Sequence, residues 1–193
     1  MRRCKWVENS SSLMTAYHDT EWGVPVTNDK KLFEFIVLES AQAGLSWSTI
    51  LNKREGYRKA FKDFDVKKVS RMTMKDVEKL LKDSSIVRNQ KKIESAIQNA
   101  TAFIGVQKEF GSFAKYMWEF VGGIPIQNRV KSHQDIPAAT ELSIDMAKDL
   151  KKRGFSFLGP TVWYAHMQAV GMVNDHTTDC FRYEQVLGLT PSY

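Results

Sequence analysis

The sequence predicts an all-α fold, and three observations support this prediction. From Asn28 onward, apolar residues recur at the spacing of a helix face, at i, i+3, i+4 and i+7. No segment of the sequence alternates apolar and polar residues in the way that a half-buried strand does. The length of 193 residues is within the range of one domain with a sizeable core.

Two helices are predicted in the first third of the chain. The segment DKKLFEFIVLESAQAG, at residues 29–44, carries apolar residues at helical spacing and ends at Gly44. Ser46 can cap a second helix, WSTILNKREGYRKAF, at residues 47–61. The inner face of the first helix is predicted to consist of Leu32, Phe35, Ile36 and Glu39.

The middle of the chain is also predicted to be helical. Thr73 and Asp76 have the spacing of a capping box, which predicts that a helix begins just before VEKLL. The segment NQKKIESAIQNATAFIGVQKEF, at residues 89–110, has the periodicity of a long helix, and SFAKYMWEFV, at residues 112–121, that of a short one.

A loop and two further helices are predicted in the last third. The segment GGIPIQNRVKSHQDIP, at residues 122–137, is rich in Gly, Pro and polar residues, as loops are. SIDMAKDLKKRG, at residues 143–154, and PTVWYAHMQAVGM, at residues 160–172, have helical periodicity, and Pro160 occupies a favourable first helical position. The N- and C-terminal segments are then expected to pack together.

The charge balance favours a polyanionic partner. Lys and Arg number 28 against 22 Asp and Glu, so the formal net charge is +6 and the pI is about 9.2. No stretch has the roughly 20 apolar residues that span a bilayer. The start MRRCKWVENSSS lacks the apolar run of a signal peptide, so we expect a cytoplasmic protein with no membrane partner.

Two cysteines and two histidines form a candidate metal site. His176 and Cys180 are four positions apart in HTTDC, which would place them on one face of a helical turn. Cys4 and His18 lie near the other end of the chain. In the alternative interpretation the cysteines are small buried hydrophobes and the histidines are hydrogen-bonded. Two thiolates and two imidazoles would give a closed, structural zinc site.

Aromatic side chains are concentrated around one carboxylate. Glu39 lies on the apolar face of its helix, where a carboxylate needs a hydrogen bond or an opposite charge. In one interpretation Glu39 caps a neighbouring segment or pairs with an arginine, and the tryptophans are core residues. In the other, flat walls and one acceptor form a nucleobase pocket. The aromatic residues concerned are Trp6, Tyr17, Trp22 and Trp47.

Four motifs give the chain a family resemblance. They are RCKWV at 3–7, AYHDTEWGVP at 16–25, LFEFIVLESAQAGLSW at 32–47 and VNDHTTDC at 173–180. With them the chain resembles the 3-methyladenine DNA glycosylase I family, a bacterial branch of the helix-hairpin-helix glycosylases. The similarity extends to ILNKREGYRKAF, IVRNQKKIESAIQNA and LKKRGFSFLGPT, and so covers nearly the whole chain.

The resemblance implies a fold and a metal. The fold is the helix-hairpin-helix DNA glycosylase fold, with residues 1–193 as one domain and a helical body at about 28–160. The terminal segments 1–27 and 161–193 are joined through one structural Zn²⁺ per chain. The zinc ligands implied by the resemblance are Cys4, His18, His176 and Cys180. The remaining histidines, His133 and His166, receive no role.

The resemblance also assigns the base pocket. Glu39 and Tyr17 hydrogen-bond the edge of the methylated base and are the catalytic candidates, and Trp47 stacks on the base. Trp6 and Trp22 are further pocket aromatics. In this interpretation a single loop presents Tyr17 to the base and the neighbouring His18 to the metal.

The implied activity is DNA repair on double-stranded alkylated DNA. The enzyme is expected to act as a monomer, to flip the damaged nucleotide out of the duplex and to hydrolyse its glycosidic bond. Free 3-methyladenine and an abasic site are the products, and lyase activity is not expected. We expect Glu39 to act through hydrogen bonding and electrostatics more than as a base.

Two segments are DNA-contact candidates. SSIVRNQKK, at residues 84–92, is the expected hairpin, with Ser85 and Arg88 where the superfamily usually has a Gly-x-Gly turn. Arg88, Lys91 and Lys92 supply positive charge there, or else form a solvated helix end. Gly44 and Leu45 in AGLSW are candidates to fill the gap that the flipped base leaves, or else only end a helix.

Three alternative functions remain open at the level of sequence. The chain could be a non-catalytic helix-hairpin-helix DNA-binding module, although such a module does not need a base-sized pocket. It could be an alkyl-base glycosylase of broader specificity that also removes 7-methylguanine. A zinc hydrolase is disfavoured, because four protein ligands leave the metal no open position.

Overall fold

The computed structural model describes residues 1–192, which are mostly helical. The α-helices are α1 (Ser12–Thr20), α2 (Asp29–Gln42), α3 (Trp47–Asn52), α4 (Arg54–Ala60), α5 (Val66–Val69), α6 (Met74–Leu80), α7 (Gln90–Phe110), α8 (Phe113–Glu119), α9 (Glu141–Lys152), α10 (Pro160–Ala169) and α11 (Phe181–Leu187). Two short strands, β1 (Ile126–Gln127) and β2 (Val173–Asn174), pair in parallel. Short 3-10 helices span Lys5–Val7, Lys62–Phe64 and His133–Asp135. The all-α prediction is confirmed.

Helix α2 is the central helix of the fold. It packs against α3, α7, α8 and α10, and its residues from Leu32 to Ala41 are all buried. Asn28 caps its N-terminus by accepting a hydrogen bond from the Lys31 amide over 3.0 Å. Since α2 is buried on every side and not on one face alone, polar side chains along it must find partners inside the protein.

Capping signals correctly marked several helix starts. Ser46 Oγ accepts the Thr49 amide over 3.2 Å at the start of α3. Thr73 donates its amide N–H to Asp76 Oδ2 over 2.8 Å at the start of α6, as a capping box requires. Pro160 is at the first position of α10. The long helix α7 and the short helix α8 are also confirmed.

Two predicted boundaries are wrong. The single helix predicted at 47–61 is interrupted at Lys53, whose φ of −99° and ψ of 2° separate α3 from α4. The break turns α4 so that it packs against both α2 and the hairpin. The predicted loop at 122–137 contains β1 and one 3-10 turn. Strand β1 exists because its backbone pairs with β2, a contact that local sequence does not encode.

The segment that contains Tyr17 and His18 is helical, so its prediction as a loop is wrong. Ser11 accepts the Met14 amide over 3.3 Å and caps α1. Met14, Tyr17 and His18 are buried at i, i+3 and i+4, which is one face of a helix. The packing of this face outweighs the mixed polar composition of the segment.

The hairpin between α6 and α7 packs against α4. The phenol oxygen of Tyr57 accepts the Val87 amide over 3.2 Å, and Lys53 Nζ donates to the Ser84 carbonyl over 2.7 Å. A Cβ at Gly56 would lie 2.3 Å from the Ser85 carbonyl oxygen, so only glycine allows this approach. These contacts hold residues 84–89 without the glycines usual in such a turn.

The two ends of the chain pack together, as predicted. The Phe181 amide donates to the Arg2 carbonyl over 3.0 Å, and Thr27 Oγ1 donates to the Ser192 carbonyl over 2.7 Å. These bonds bring the start of α11 beside the first residues of the chain. Within residues 1–192, none of the helices combines the length and apolar character that crossing a membrane requires.

Candidate active site and metal centre

A cavity of about 360 Å³ opens beside the C-terminal half of α2. Its volume is within the range of small-molecule sites. Each of the five residues predicted to bind a base lines it: Trp6, Tyr17, Trp22, Glu39 and Trp47. The other lining residues are Met14, Gln42, His133, Ile136, Ala165, Gln168 and Ala169.

Aromatic rings form the walls of the cavity. The rings of Tyr17 and Trp47 lie 5.3 Å apart, and those of Trp6 and Trp22 lie 5.2 Å apart in an edge-to-face arrangement. Tyr17 and Trp22 are buried, whereas Trp6 and Trp47 are partly exposed. The faces of these rings suit a flat ligand, and their π electrons attract a cation.

Glu39 is the carboxylate of the cavity, and its partner is a histidine. It is 2% exposed, and its Oε2 lies 2.7 Å from Nδ1 of the fully buried His166 on α10. The suggested arginine partner is therefore wrong for Glu39. Arg54 instead pairs with Glu34, five residues earlier on α2, over 2.8 Å.

Two polar atoms in the lining are left for a ligand. Glu39 Oε1 and Trp47 Nε1 are buried without a hydrogen-bond partner among residues 1–192. Buried polar atoms are nearly always paired, so an unpaired acceptor and an unpaired donor make this cavity suited to a bound molecule. That molecule would offer a donor to Glu39 and an acceptor to Trp47.

Burial changes the acidity of the cavity groups. Desolvation raises the pKa of Glu39 above its ordinary value, and the neighbouring His166 opposes that rise. Desolvation, followed by the charge of Glu39, raises the pKa of Tyr17 well above its ordinary value. The Tyr17 phenol therefore stays protonated and can act as a hydrogen-bond donor at neutral pH.

The predicted metal ligands form one buried cluster. Cys4, His18, His176 and Cys180 each offer one atom, and these atoms all lie within 4.8 Å of one another. Cys4 Sγ lies 3.5 Å from His176 Nδ1, and Cys180 Sγ lies 3.5 Å from His18 Nε2 and 3.7 Å from His176 Nδ1. The group could hold a metal ion, and neither cysteine is in a disulfide.

The sulfur–nitrogen distances fit a tetrahedral site. Metal–sulfur bonds of about 2.3 Å and metal–nitrogen bonds of about 2.0 Å give sulfur–nitrogen edges of about 3.5 Å. The interaction between the two thiols lowers the pKa of Cys180 and raises that of Cys4. Because metal is bound by thiolates, binding of an ion here would release the proton of Cys4. Residues 177–180 form a turn and not the helical turn expected for the His176–Cys180 pair.

Outer hydrogen bonds orient both imidazoles. His18 Nδ1 lies 2.8 Å from Asp19 Oδ1, and Arg3 holds the same carboxylate through its guanidinium at 2.8–3.0 Å. His176 Nε2 lies 3.0 Å from the Trp22 carbonyl oxygen. In each ring the nitrogen that faces away from the cluster has an acceptor, as in metal sites where the outer shell fixes the tautomer.

The metal cluster and the cavity share structural elements. Tyr17 and His18 are neighbours on α1, so the cluster fixes the helix that presents the phenol. Trp22 lines the cavity, while its ring packs edge-on against His176 at 4.6 Å. Loss of the cluster would therefore disturb the walls of the cavity.

The DNA-contact candidates are all at the surface, but they differ in their environment. Arg88 and Lys91 are exposed and form no ion pair with any residue in 1–192. Lys92 is partly buried, and its Nζ donates to the Ala41 and Ala43 carbonyls over 2.8 and 2.6 Å. Gly44 and Leu45 form an exposed turn, in which Gly44 has a φ of +78°.

Sequence reasoning missed two histidines. His166 contacts Glu39, and His133 lines the mouth of the cavity from the loop after β1. The available signal for His166 was its position three residues after Trp163 on an apolar helix, where a histidine needs a buried partner. Nothing in the polar loop marked His133.

Comparison with known proteins identifies the family. The sequence model of the methyladenine glycosylase family matches residues 6–183. This chain belongs to the methyladenine glycosylase family. Among methyladenine glycosylases, the DNA-3-methyladenine glycosylase 1 of Escherichia coli K12 is 47% identical over 183 residues, which are 95% of this chain and 97% of that protein. The DNA-3-methyladenine glycosylase of Haemophilus influenzae is 46% identical over 178 residues, or 92% of this chain and 96% of that one.

Solved structures of methyladenine glycosylases have the same fold. A crystal structure of a 3-methyladenine DNA glycosylase I superimposes with a TM-score of 0.90 at 49% identity and covers 93% of this chain and 98% of that chain. A variant of another such enzyme, in complex with 3-methyladenine, gives a TM-score of 0.91 at 35% identity and covers 94% and 97%. The fold prediction is confirmed.

Proposed function

We propose that this chain is a monomeric, cytoplasmic DNA repair enzyme that excises 3-methyladenine from alkylated double-stranded DNA. The observation that supports this best is the unpaired Oε1 of buried Glu39 in an aromatic cavity. The methyladenine glycosylase family provides the reaction class. Because the glycosidic bond of a stacked base is inaccessible, the nucleotide must first leave the duplex, which costs a few kcal/mol.

The reaction itself needs little chemical help. Methylation at N3 places a positive charge on the base in DNA. When the bond between C1′ and N9 breaks, its electron pair goes to the base, which leaves as neutral 3-methyladenine. The sugar is left as an oxocarbenium-like cation, to which water adds with loss of a proton. The products are an abasic site and the free base, and no lyase step is involved.

The cavity selects the base through its charge. Each aromatic face attracts a cationic ring by about 0.5–2 kcal/mol. Glu39, with a free acceptor oxygen and a negative charge, adds a charge-assisted hydrogen bond. An unmethylated adenine is neutral and a poor leaving group, so it fails at bond cleavage even if it enters the cavity.

Chromatography of the bases released from methylated DNA tests this function. Release of 3-methyladenine is the expected result. Release of 7-methylguanine as well would instead support the alkyl-base glycosylase of broader specificity. DNA binding without any released base would support the non-catalytic module. The cavity and its two unpaired polar atoms disfavour that alternative, because a module that only binds DNA does not need them.

We further propose that the Cys₂His₂ group binds one zinc ion with a structural role. The donor set and the sulfur–nitrogen spacings of 3.5–3.7 Å suit tetrahedral zinc, and four protein ligands leave no position for a reactive water. In this proposal the ion joins the terminal segments 1–27 and 161–193 to a helical body at about 28–160, so that residues 1–193 act as one domain.

Replacing Asp19 by Asn is expected to weaken metal binding by about 10- to 100-fold without removing a ligand. The carboxylate that orients His18 becomes a neutral amide, and Arg3 loses its charged partner. Competition with a chromophoric chelator measures the affinity. The matched control is Asp145→Asn, an exposed aspartate on α9 whose single ion pair among residues 1–192 is with Lys148. Equal affinities in both variants would contradict the assigned role of Asp19.

We also propose that the hairpin and the AGLSW turn face DNA. Arg88 and Lys91 are free to contact phosphates, and Lys92 can add its charge near the start of α7. Leu45, which is 41% exposed on the turn after α2, is positioned to fill the space of the flipped nucleotide, with Gly44 allowing the turn.

Substitution of the hairpin cations should separate DNA binding from stability. Lys91→Ala and Arg88→Ala are each expected to weaken DNA binding and to lower the slope of log affinity against log salt by about 1, with stability unchanged. Lys92→Ala should also lower the free energy of unfolding by about 1–2 kcal/mol, since two carbonyls at the end of α2 lose their donor. Salt titrations and urea unfolding measure the two effects. If all three variants have the same slope of log affinity against log salt as the wild type, the hairpin does not contact DNA.

A further inference from the structure

His166 is completely buried and in contact with Glu39, the carboxylate of the cavity. Its Nδ1 lies 2.7 Å from Glu39 Oε2, and neither side chain is more than 2% exposed. Its ring stacks on Trp163 at 4.4 Å with an interplanar angle of 20°. Trp163 is in turn held by a contact between its Nε1 and Met146 Sδ at 3.2 Å. The imidazole therefore has a fixed position and one polar contact.

The unpaired atoms of this pair favour one protonation state. Glu39 Oε1 and His166 Nε2 both lack partners among residues 1–192. If the ring were cationic, or if a neutral Glu39 donated to Nδ1, Nε2 would carry a buried N–H without an acceptor. A neutral ring with its proton on Nδ1 leaves only acceptors unpaired, and an unpaired buried donor is the rarer case in proteins. In that state the pair carries one negative charge.

We propose that His166 is a positioning residue for Glu39: its Nδ1–H donates to Oε2, fixes the plane of the carboxylate and turns Oε1 toward the cationic base. This inference rests on the proposed function, since it concerns the base in the same cavity. The hydrogen bond to Oε2 matters because the carboxylate can otherwise rotate about the bond that joins it to the side chain. Such a rotation would turn Oε1 away from the ligand. Glu39 therefore faces the alkylated ring as a negatively charged carboxylate and not as a neutral acid.

Other ionisable groups near Glu39 are few in the described part of the chain. Tyr17 approaches from α1 and stays a neutral phenol. Lys92 from α7 contacts the carbonyls at the end of α2, and His133 lies at the mouth of the cavity. His166 is the group that lowers the pKa of Glu39 against the effect of burial, and the hydrogen bond from its neutral ring stabilises the carboxylate. Its loss should therefore let Glu39 take up a proton at a higher pH than in the wild type.

Three variants test the proposal. His166→Phe keeps a ring against Trp163 but removes the donor, and it should lower kcat/KM for 3-methyladenine release about tenfold. The acid limb of its pH profile should move to higher pH. His166→Asn carries an amide N–H near the place of Nδ1 and should restore most of the activity. In a Glu39→Gln background, His166→Phe should have little further effect, since residues that act through one another are not additive.

The opposite outcome is equally clear. The histidine serves packing alone if three results are found together. His166→Phe and His166→Asn lose the same activity, and the loss is the same whether residue 39 is Glu or Gln. The acid limb of the pH profile also stays where it is in the wild type. Should the variants not fold, ¹⁵N NMR of the wild-type imidazole decides the matter. A protonated Nδ1 and an unprotonated Nε2 at neutral pH are expected, and a protonated Nε2 overturns the proposal. Wild-type protein that releases no base would instead contradict the proposed function.

Discussion

Glu39→Gln is expected to lower kcat/KM for the release of 3-methyladenine by about 10- to 100-fold, because a hydrogen bond to a charged group contributes about 1.5–3 kcal/mol. Gln has nearly the same size as Glu, so the cavity keeps its shape but loses its negative charge. The measurement is single-turnover release of base from methylated duplex DNA. A variant as fast as the wild type would show that the carboxylate does not contribute to excision.

The pH dependence of kcat/KM provides a second test of the role of Glu39. The pKa of Glu39 is raised above its ordinary value by burial, so its charge is lost as the pH falls through that raised pKa. Wild-type kcat/KM should therefore decline on the acid side at a higher pH than an exposed glutamate would cause. Glu39→Gln should lack this limb, since Gln has no proton to gain in that range.

Glu34→Gln is the matched control for Glu39→Gln. Glu34 is also buried on α2, but it pairs with Arg54 and Arg58 and does not line the cavity. Its pKa is lowered by its cationic partners, which outweigh burial, so its contribution to stability is present above its ordinary pKa and is lost as the pH falls. The Gln variant should be less stable at neutral pH but should release base at the wild-type rate per folded molecule.

Cys180→Ser is expected to abolish stoichiometric metal binding and to lower Tm by about 10 °C or more, since metal binding to a structural site is part of the folding free energy. The cluster lies between α1 and the start of α11, so its loss separates the ends of the chain. Metal analysis and thermal unfolding, with and without a strong chelator, measure both effects. The chelator alone should lower the Tm of the wild type.

His133→Ala is the control for Cys180→Ser, because His133 is an exposed histidine outside the cluster. This variant should keep one metal per chain and nearly the wild-type Tm. Wild-type protein purified without metal, with a Tm that chelator does not change, would contradict the structural role. Base release by such a metal-free protein would further show that α1 holds Tyr17 in place unaided.

The candidate site was predictable in part from the residues and in part only through family resemblance. The position of Glu39 on an apolar helix face was itself a signal, because a carboxylate there needs a specific partner. The metal ligands were not separable from buried cysteines and histidines by spacing, since Cys4 and His176 are 172 positions apart. The quoted motifs supplied that assignment, and the structure brings the same ligand atoms together.

The sequence by itself determined the helical class, most helix positions, the caps at Ser46 and Thr73, and Pro160 as the first residue of its helix. Periodicity and capping depend on residues within about one turn of each other, so a local pattern encodes them. Only the tertiary structure decided that the helix breaks at Lys53, that the segment with Tyr17 is a helix and that His166 is the partner of Glu39. Glu39 and His166 are 127 positions apart, and the packing of α10 on α2 brings them into contact. Which buried polar group meets which is a property of packing, and no local pattern encodes it.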